Sequence, residues 1–364
     1  MKIVRDGASE TIMSHPKSAY NYFGWPTAKR LQDGRIAVGA SGFRKRHVCP
    51  YGKAVISYSS DEGRSYTPPT PVIDTSLDDR DCGIATFGRS GMIVTSFNNT
   101  VAFQMQYADE EDRIHLSGIS PEEEARDIGA TFRVSHDGGV SFGNIFKSPV
   151  TSPHGPLELA DGTLLWLGRT FSPTNVRMEE DCVRAYRILE DGDVEYVGQI
   201  ENVVVDGKAA LSCEPALIQL EDGTLLAHIR VQCYPIGLFT LYQSKSFDLG
   251  KTWTTPVQIL PDCGGAPAHL LRHSSGILIS VYGYRGSPVG APPFGINAIF
   301  SKDGGEHWSD PRVIYENTVS EDLGYPSTVE LADGSLLSVF YAKEKKDEGA
   351  VIMQQRWRIE YDKI

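Results

Sequence analysis

One short pattern recurs six times along the chain: an apolar run, a polar turn closed by glycine, and a second apolar run. It reads Leu31-Gln32-Asp33-Gly34-Arg35-Ile36, then Gly88-Arg89-Ser90-Gly91-Met92-Ile93, then Leu159-Ala160-Asp161-Gly162-Thr163-Leu164. It returns as Leu220-Glu221-Asp222-Gly223-Thr224-Leu225, His273-Ser274-Ser275-Gly276-Ile277-Leu278 and Leu331-Ala332-Asp333-Gly334-Ser335-Leu336. Asp-Gly between apolar runs marks a hairpin, because glycine accepts a positive φ at low cost. The glycines are 57, 71, 61, 53 and 58 residues apart, room for one four-stranded module each.

A second pattern stands between these hairpins: Ser, any residue, Asp, any residue, Gly, two more, then an aromatic. It occurs at Ser59-Ser60-Asp61-Glu62-Gly63-Arg64-Ser65-Tyr66 and at Ser135-His136-Asp137-Gly138-Gly139-Val140-Ser141-Phe142. It recurs at Ser246-Phe247-Asp248-Leu249-Gly250-Lys251-Thr252-Trp253 and Ser301-Lys302-Asp303-Gly304-Gly305-Glu306-His307-Trp308. Asp can hydrogen-bond its own turn backbone, Gly supplies the unusual φ, and the aromatic can pack between neighbouring modules.

This motif resembles the Asp-box, or BNR, repeat of the sialidase (neuraminidase) superfamily, and the resemblance covers essentially the whole chain. It implies an all-β fold: a six-bladed β-propeller of four-stranded antiparallel blades, one domain over 1–364, with the Asp boxes on the face opposite the active site. The third module has only a degenerate turn at Glu190-Asp191-Gly192-Asp193, and the sixth ends in one more strand, about Ala350 to Tyr361. The segment before Pro16 is therefore expected to supply the missing strand of the last blade and close the ring, which removes free sheet edges.

One insertion, about 99–131, breaks the period inside the second module. It contains Ser120-Pro121-Glu122-Glu123-Glu124-Ala125-Arg126, a helix start with a Ser cap, Pro at the first position and acids in the first turn. Its place in the module puts it on the active-site face, as a lid, a specificity wall, an oligomer contact or a solvated decoration.

Composition narrows the classes. The 364 residues are 40% hydrophobic and 23% charged, ordinary for a folded chain. A net charge of −12 argues against a phosphate-tracking nucleic-acid binder. No apolar run approaches the roughly 18 residues of a membrane helix, and the N-terminal residues carry no apolar h-region, so a cytoplasmic location is expected. None of the six cysteines forms a CxxC pair, so free thiols are expected. No metal motif, phosphate loop or dinucleotide fingerprint is present, and no cofactor is expected.

In a propeller the first strand of each blade lines the central channel and runs from the functional face down to the glycine turn. The residues seven to ten positions before each turn glycine are Trp25, Asp81, His154, Glu214, His269 and Tyr325. The returning strands end at Arg44, Asn98-Asn99, Arg169, Arg230, Arg285 and Lys343. An acidic chain thus gathers arginines at one mouth. Guanidinium forks bind carboxylates, so an anionic carbohydrate is the expected partner.

Against the sialidase pattern, Glu214 with Arg230 resembles the family's glutamate and second triad arginine, Arg285 the third arginine, and Tyr325 the nucleophilic tyrosine. The resemblance implies that the tyrosine attacks the anomeric carbon while the glutamate takes its proton. The family's first arginine is absent from Phe23-Gly24-Trp25-Pro26, and its acid/base aspartate from the loop Arg44–Tyr51. Asp81 is the first candidate for the missing acid, with His154 and His269 as alternatives. Arg80, Arg169, Arg44, His47, His154 and His269 are candidate substrate contacts, and Trp25 a candidate platform for a sugar ring. The resulting expectation is an exo-acting, sialidase-like glycoside hydrolase for a terminal sugar acid or related glycoside. A non-catalytic carbohydrate-binding propeller and a uronate lyase are the alternatives, and a homo-oligomer is compatible with either.

Overall fold

The computed structural model describes residues 1–174, 182–261, 267–287, 289–316 and 318–360. Six antiparallel sheets stand in a ring. The first blade is Tyr22–Arg30, Ile36–Arg44, Lys53–Ser59 and Thr70–Ile73. The second is Arg80–Phe87, Gly91–Phe97, Ala130–Ser135 and Ile145–Ser148. The fourth, fifth and sixth begin with Leu211–Gln219, Ala268–Arg272 and Gly324–Glu330. In the third blade the inner strand is broken: Val150–Thr151 and Leu157–Glu158 both pair with Leu164–Thr170. As expected, Lys2–Met13 is the outer strand of the last blade and pairs antiparallel with Val351–Glu360.

The core is divided among the seams between blades. Ile56 and Val94 meet between the first and second, Phe132 and Trp166 between the second and third, and Leu167 and Ile229 between the third and fourth. Phe340 and Val281 join the fifth and sixth, and Val339 and Val38 the sixth and first. Burying these residues holds adjacent blades together, at about 1.5–3 kcal/mol for each large apolar side chain.

The Asp boxes form as their residue types require. In the first, Ser59 Oγ donates to Asp61 Oδ1 (2.8 Å) and accepts from the Gly63 amide (2.8 Å), while Asp61 Oδ1 accepts from the Ser65 amide (2.9 Å). The boxes at 135–142, 246–253 and 301–308 repeat this scheme. Two box aromatics hydrogen-bond across to a neighbouring blade: Tyr66 Oη donates to Gln354 Oε1 (2.8 Å) and Trp308 Nε1 to Gln243 Oε1 (2.8 Å). The boxes share the end of the ring with the glycine turns, as the Gly138 amide bonding the Ser90 carbonyl (2.8 Å) shows.

The insertion folds as three short helices, α1 (Val101–Met105), α2 (Glu110–Ser117) and α3 (Pro121–Asp127), at the opposite end. Ser120 and Glu123 close a capping box on α3. Five cysteines, Cys49, Cys82, Cys182, Cys213 and Cys233, are buried, and no disulfide joins any of them among the described residues; Cys263 lies outside those residues. No described helix is long and apolar enough to cross a membrane.

Candidate active site

Four inner strands open with the same local device. Trp25, Asp81, Glu214 and Tyr325 have φ of 54°, 51°, 48° and 50°. Each sits in a register break against its neighbour strand: between Gly24 and Thr27, Arg80 and Gly83, Cys213 and Ala216, and Gly324 and Ser327. A left-handed residue in a bulge re-aims its side chain, and all four line one cavity at the axis of the ring. Non-glycine residues in this region cost roughly 1–2 kcal/mol each, so the arrangement is held by its surroundings.

The cavity measures about 350 Å³. On its wall the Tyr325 hydroxyl donates to Glu214 Oε1 (2.6 Å). Arg230 Nη1 pairs with Glu214 Oε2 (2.6 Å) and lies 3.3 Å from Tyr325 Oη. With the Gln232 amide turned to suit its partners, its carbonyl accepts from Arg230 Nε (2.8 Å) and its nitrogen donates to Tyr234 Oη (2.8 Å). Burial, and then the charge of Glu214, push the Tyr325 phenol well above its usual range. Burial, then Glu214, raise the Asp81 carboxyl to about 7. The Asp81 carboxyl makes no hydrogen bond among the described residues, and below about pH 7 it is a neutral acid lining the cavity.

Arg80, Arg169, Arg285 and His47 also line the cavity with Arg230. Arg285 Nη2 donates to the Leu323 carbonyl (2.9 Å) in the loop before Tyr325. The Arg80 guanidinium lies 4.7 Å from the Trp25 ring centroid, and its Nε has no hydrogen-bond partner among the described residues.

Three expected contacts lie elsewhere. Arg44 is fully buried, paired with Asp78 (Nη1–Oδ1 2.6 Å), and does not line the cavity. The signal that put it there, an arginine at the end of a returning strand, cannot see the carboxylate that claims it. His154 and His269 pack edge to face (5.1 Å) around a separate cavity of about 30 Å³ on the channel axis, beside Lys29. Burial, then Lys29, lower His154 to about 3, and burial, then His154, lower His269 well below the usual imidazole value. Both are neutral at working pH and away from the reacting groups. Trp25 lines the cavity but is 1% exposed, with Arg44 and Arg80 against its ring. It supports cations and offers no open face to a sugar. Asn98 also turns inward, bonding the Asp127 carbonyl (3.0 Å) and the Gly129 amide (2.9 Å) to anchor the insertion.

Residues that the repeat pattern did not single out also shape the site. Tyr234 stands exposed at the mouth in a short 3₁₀ turn. Asp322, three residues before Tyr325, accepts from Tyr22 Oη (2.9 Å) and lies 3.4 Å from His47 Nδ1. Among the described residues no cluster of His, Cys, Asp and Glu could hold a metal ion.

Fold and pocket together define a six-bladed propeller with a phenol, two carboxyls and several guanidiniums gathered on its axis. The chain belongs to the BNR repeat-like domain family, whose profile matches residues 84–336. No curated protein matches it in sequence. Among solved structures it resembles a protein of unknown function from Dyadobacter fermentans, with a TM-score of 0.75 at 18% identity over 98% of this chain and 99% of that one. It also resembles the NanB sialidase of Streptococcus pneumoniae, with a TM-score of 0.68 at 12% identity over 97% of this chain and 71% of that one. The α-L-arabinanase of Penicillium chrysogenum gives a TM-score of 0.62 at 13% identity over 96% of this chain and 98% of that one. At these identities the likeness is one of fold.

Proposed function

We propose that the protein is a glycoside hydrolase that releases a terminal sugar acid, or a closely related residue, by way of a covalent intermediate on Tyr325. The observation that carries this reading is the 2.6 Å hydrogen bond from Tyr325 to Glu214 inside an arginine-lined cavity. A phenol alone is a poor nucleophile at neutral pH, so a base in contact with it is required. Glu214 is that base: as Tyr325 Oη bonds to the anomeric carbon, its proton passes to Glu214 Oε1. Arg230 holds Glu214 in place and stabilises the charge that develops on the phenolic oxygen. A neutral nucleophile suits a substrate whose own carboxylate would repel an anionic one. Arg80, Arg169 and Arg285 are the groups that bind that carboxylate. The lyase alternative would draw on Tyr325, the arginines, His154 and His269, and the two histidines stand apart from this cavity.

The test is a panel of 4-nitrophenyl and 4-methylumbelliferyl glycosides, including sialic acid, related keto acids and uronides, with Tyr325→Phe alongside. The expected result is turnover of an anionic donor, reduced about 10²–10⁴-fold by Tyr325→Phe with the melting temperature retained. Binding of sugar acids by calorimetry without turnover of any donor would instead mark a binding module. An ultraviolet-absorbing unsaturated product would mark a lyase.

A further inference from the structure

We infer that His47, oriented by Asp322, is the acid/base group that protonates the leaving oxygen and later activates water. This rests on the hydrolase reading and assigns the proton transfer that the reading leaves open. His47 lies on the loop from Arg44 to Tyr51 and lines the cavity at its mouth, with 52% of its side chain exposed. Its Nδ1 faces Tyr22 Oη (3.3 Å) and Asp322 Oδ1 (3.4 Å). The Tyr22 proton is already committed to Asp322 (2.9 Å), so Nδ1 is the donor and the neutral ring presents a lone pair at Nε2. That nitrogen makes no hydrogen bond among the described residues. A carboxylate behind one imidazole nitrogen fixes the tautomer and supports the imidazolium when the other nitrogen takes a proton.

The loop is held from both sides. Arg44, locked to Asp78, donates to the His47 carbonyl (2.7 Å). Lys45 Nζ pairs with Asp109 (2.9 Å), Glu111 (3.0 Å) and Asp112 (2.7 Å) of the insertion, and Arg46 pairs with Asp109 and Asp112. His47 itself packs edge-on against Trp25 at 4.9 Å. The three-helix insertion is thereby a brace for the loop that carries His47.

Position separates His47 from Asp81. In a two-step retaining reaction one group serves both halves, because water enters where the leaving group departs. Departure is through the mouth, where His47 stands. Asp81 is 7% exposed and feels Glu214 directly, which puts it beside the nucleophile pair. There it serves as a neutral donor to the sugar. The steps balance. First, Tyr325 Oη bonds to the anomeric carbon, the bond to the leaving oxygen breaks, and protonated His47 gives its Nε2 proton to that oxygen. Then water attacks the same carbon, His47 Nε2 takes its proton, the bond to Tyr325 breaks, and Glu214 returns the phenolic proton.

The test uses aryl and alkyl glycosides of the donor that the wild type turns over. His47→Ala and the conservative His47→Gln are expected to lower kcat/KM for poor leaving groups about 10²–10⁴-fold and to spare kcat/KM for activated aryl groups, whose kcat falls because water attack loses its base, with added imidazole restoring His47→Ala. The first step needs imidazolium, so kcat/KM falls as pH rises through its pKa. Burial holds that pKa below the usual imidazole value, Asp322 opposes the shift, and Arg80 and Arg44 add to it; Tyr22 faces Nδ1 and Lys343 lies behind Asp322. Removing the favourable carboxylate in Asp322→Asn is expected to shift that limb to lower pH, a change a merely structural role would not cause. Equal loss of kcat/KM on activated and poor leaving groups in both His47 variants overturns the assignment, as does the leaving-group signature appearing in Asp81→Asn instead. Absence of wild-type turnover on every donor overturns the hydrolase reading and this assignment together, whereas turnover that depends on Tyr325 but not on His47 overturns this assignment alone.

Discussion

Arg44→Met is expected to damage stability far more than substrate binding. Both members of the Arg44–Asp78 pair are fully buried, and two contacts join them, Nη1–Oδ1 at 2.6 Å and Nη2–Oδ2 at 2.9 Å. Arg44 also donates to Ser41 Oγ (2.7 Å), and Asp78 accepts from the Cys49 amide (3.0 Å). Removing one partner strands the other charge without water, at a cost of about 3–5 kcal/mol. Unfolding entropy of about 2.1 cal/mol/K per residue over 364 residues makes that a fall of about 4–7 °C in Tm. The double variant Arg44→Met with Asp78→Leu leaves no stranded charge. It should regain more than half of the loss, the remainder coming from the Cys49 amide and the His47 carbonyl left without their partners. Urea titrations of wild type, both single variants and the double variant form the cycle. Single variants that melt with the wild type while raising KM would refute this reasoning and return Arg44 to the substrate.

Asp81 carries a folded-state pKa of about 7. Between its unfolded value near 4 and that pKa only the unfolded chain ionises, so this group's contribution erodes stability as pH rises through the window. Asp81→Asn should therefore stabilise by on the order of 2–4 kcal/mol at pH 7.5 and by little at pH 4, read from urea midpoints; equal effects at both pH values would contradict the assignment. The Asp-box carboxylates have the opposite sign: hydrogen bonds from Ser65, Ser141 and the His307 amide hold Asp61, Asp137 and Asp303 below the usual range. Their contribution is present above about pH 4 and is lost as pH falls below it, so Asp137→Asn should lower Tm at pH 6 and flatten its fall towards pH 2.

What the chain declares locally is read without difficulty. The glycine turns, the Asp boxes and the capping box at Ser120 each depend on residues within a few positions of one another. The closing strand follows from counting strands in the last module. The site is only partly legible because burial and distant partners decide it. Three of the left-handed residues, Trp25, Glu214 and Tyr325, stand nine positions before their turn glycine, and Asp81 stands ten before. His154 and His269 stand eight and seven before, which lowers them along the channel to the small axial cavity. An offset of nine points instead to Pro153, which lines the cavity, and Pro267. A window of seven to ten was too wide, because one residue along a strand is about 3.3 Å and turns the side chain to the other face. Asp322 was missed because its partners, His47 and Tyr22, lie 275 and 300 positions away.

Four of the nine described non-glycine residues with a left-handed φ line the cavity. At roughly 1–2 kcal/mol each, four left-handed residues cost on the order of 4–8 kcal/mol, comparable with the whole stability of many domains. The fifth blade's inner strand pairs with its neighbour without a break from Ala268 to Arg272, so a propeller blade does not need the bulge in order to form. Its presence where Asp81, Glu214 and Tyr325 stand, and at the Trp25 that carries Arg80, supports a selected arrangement of acid, base and phenol over a consequence of blade geometry.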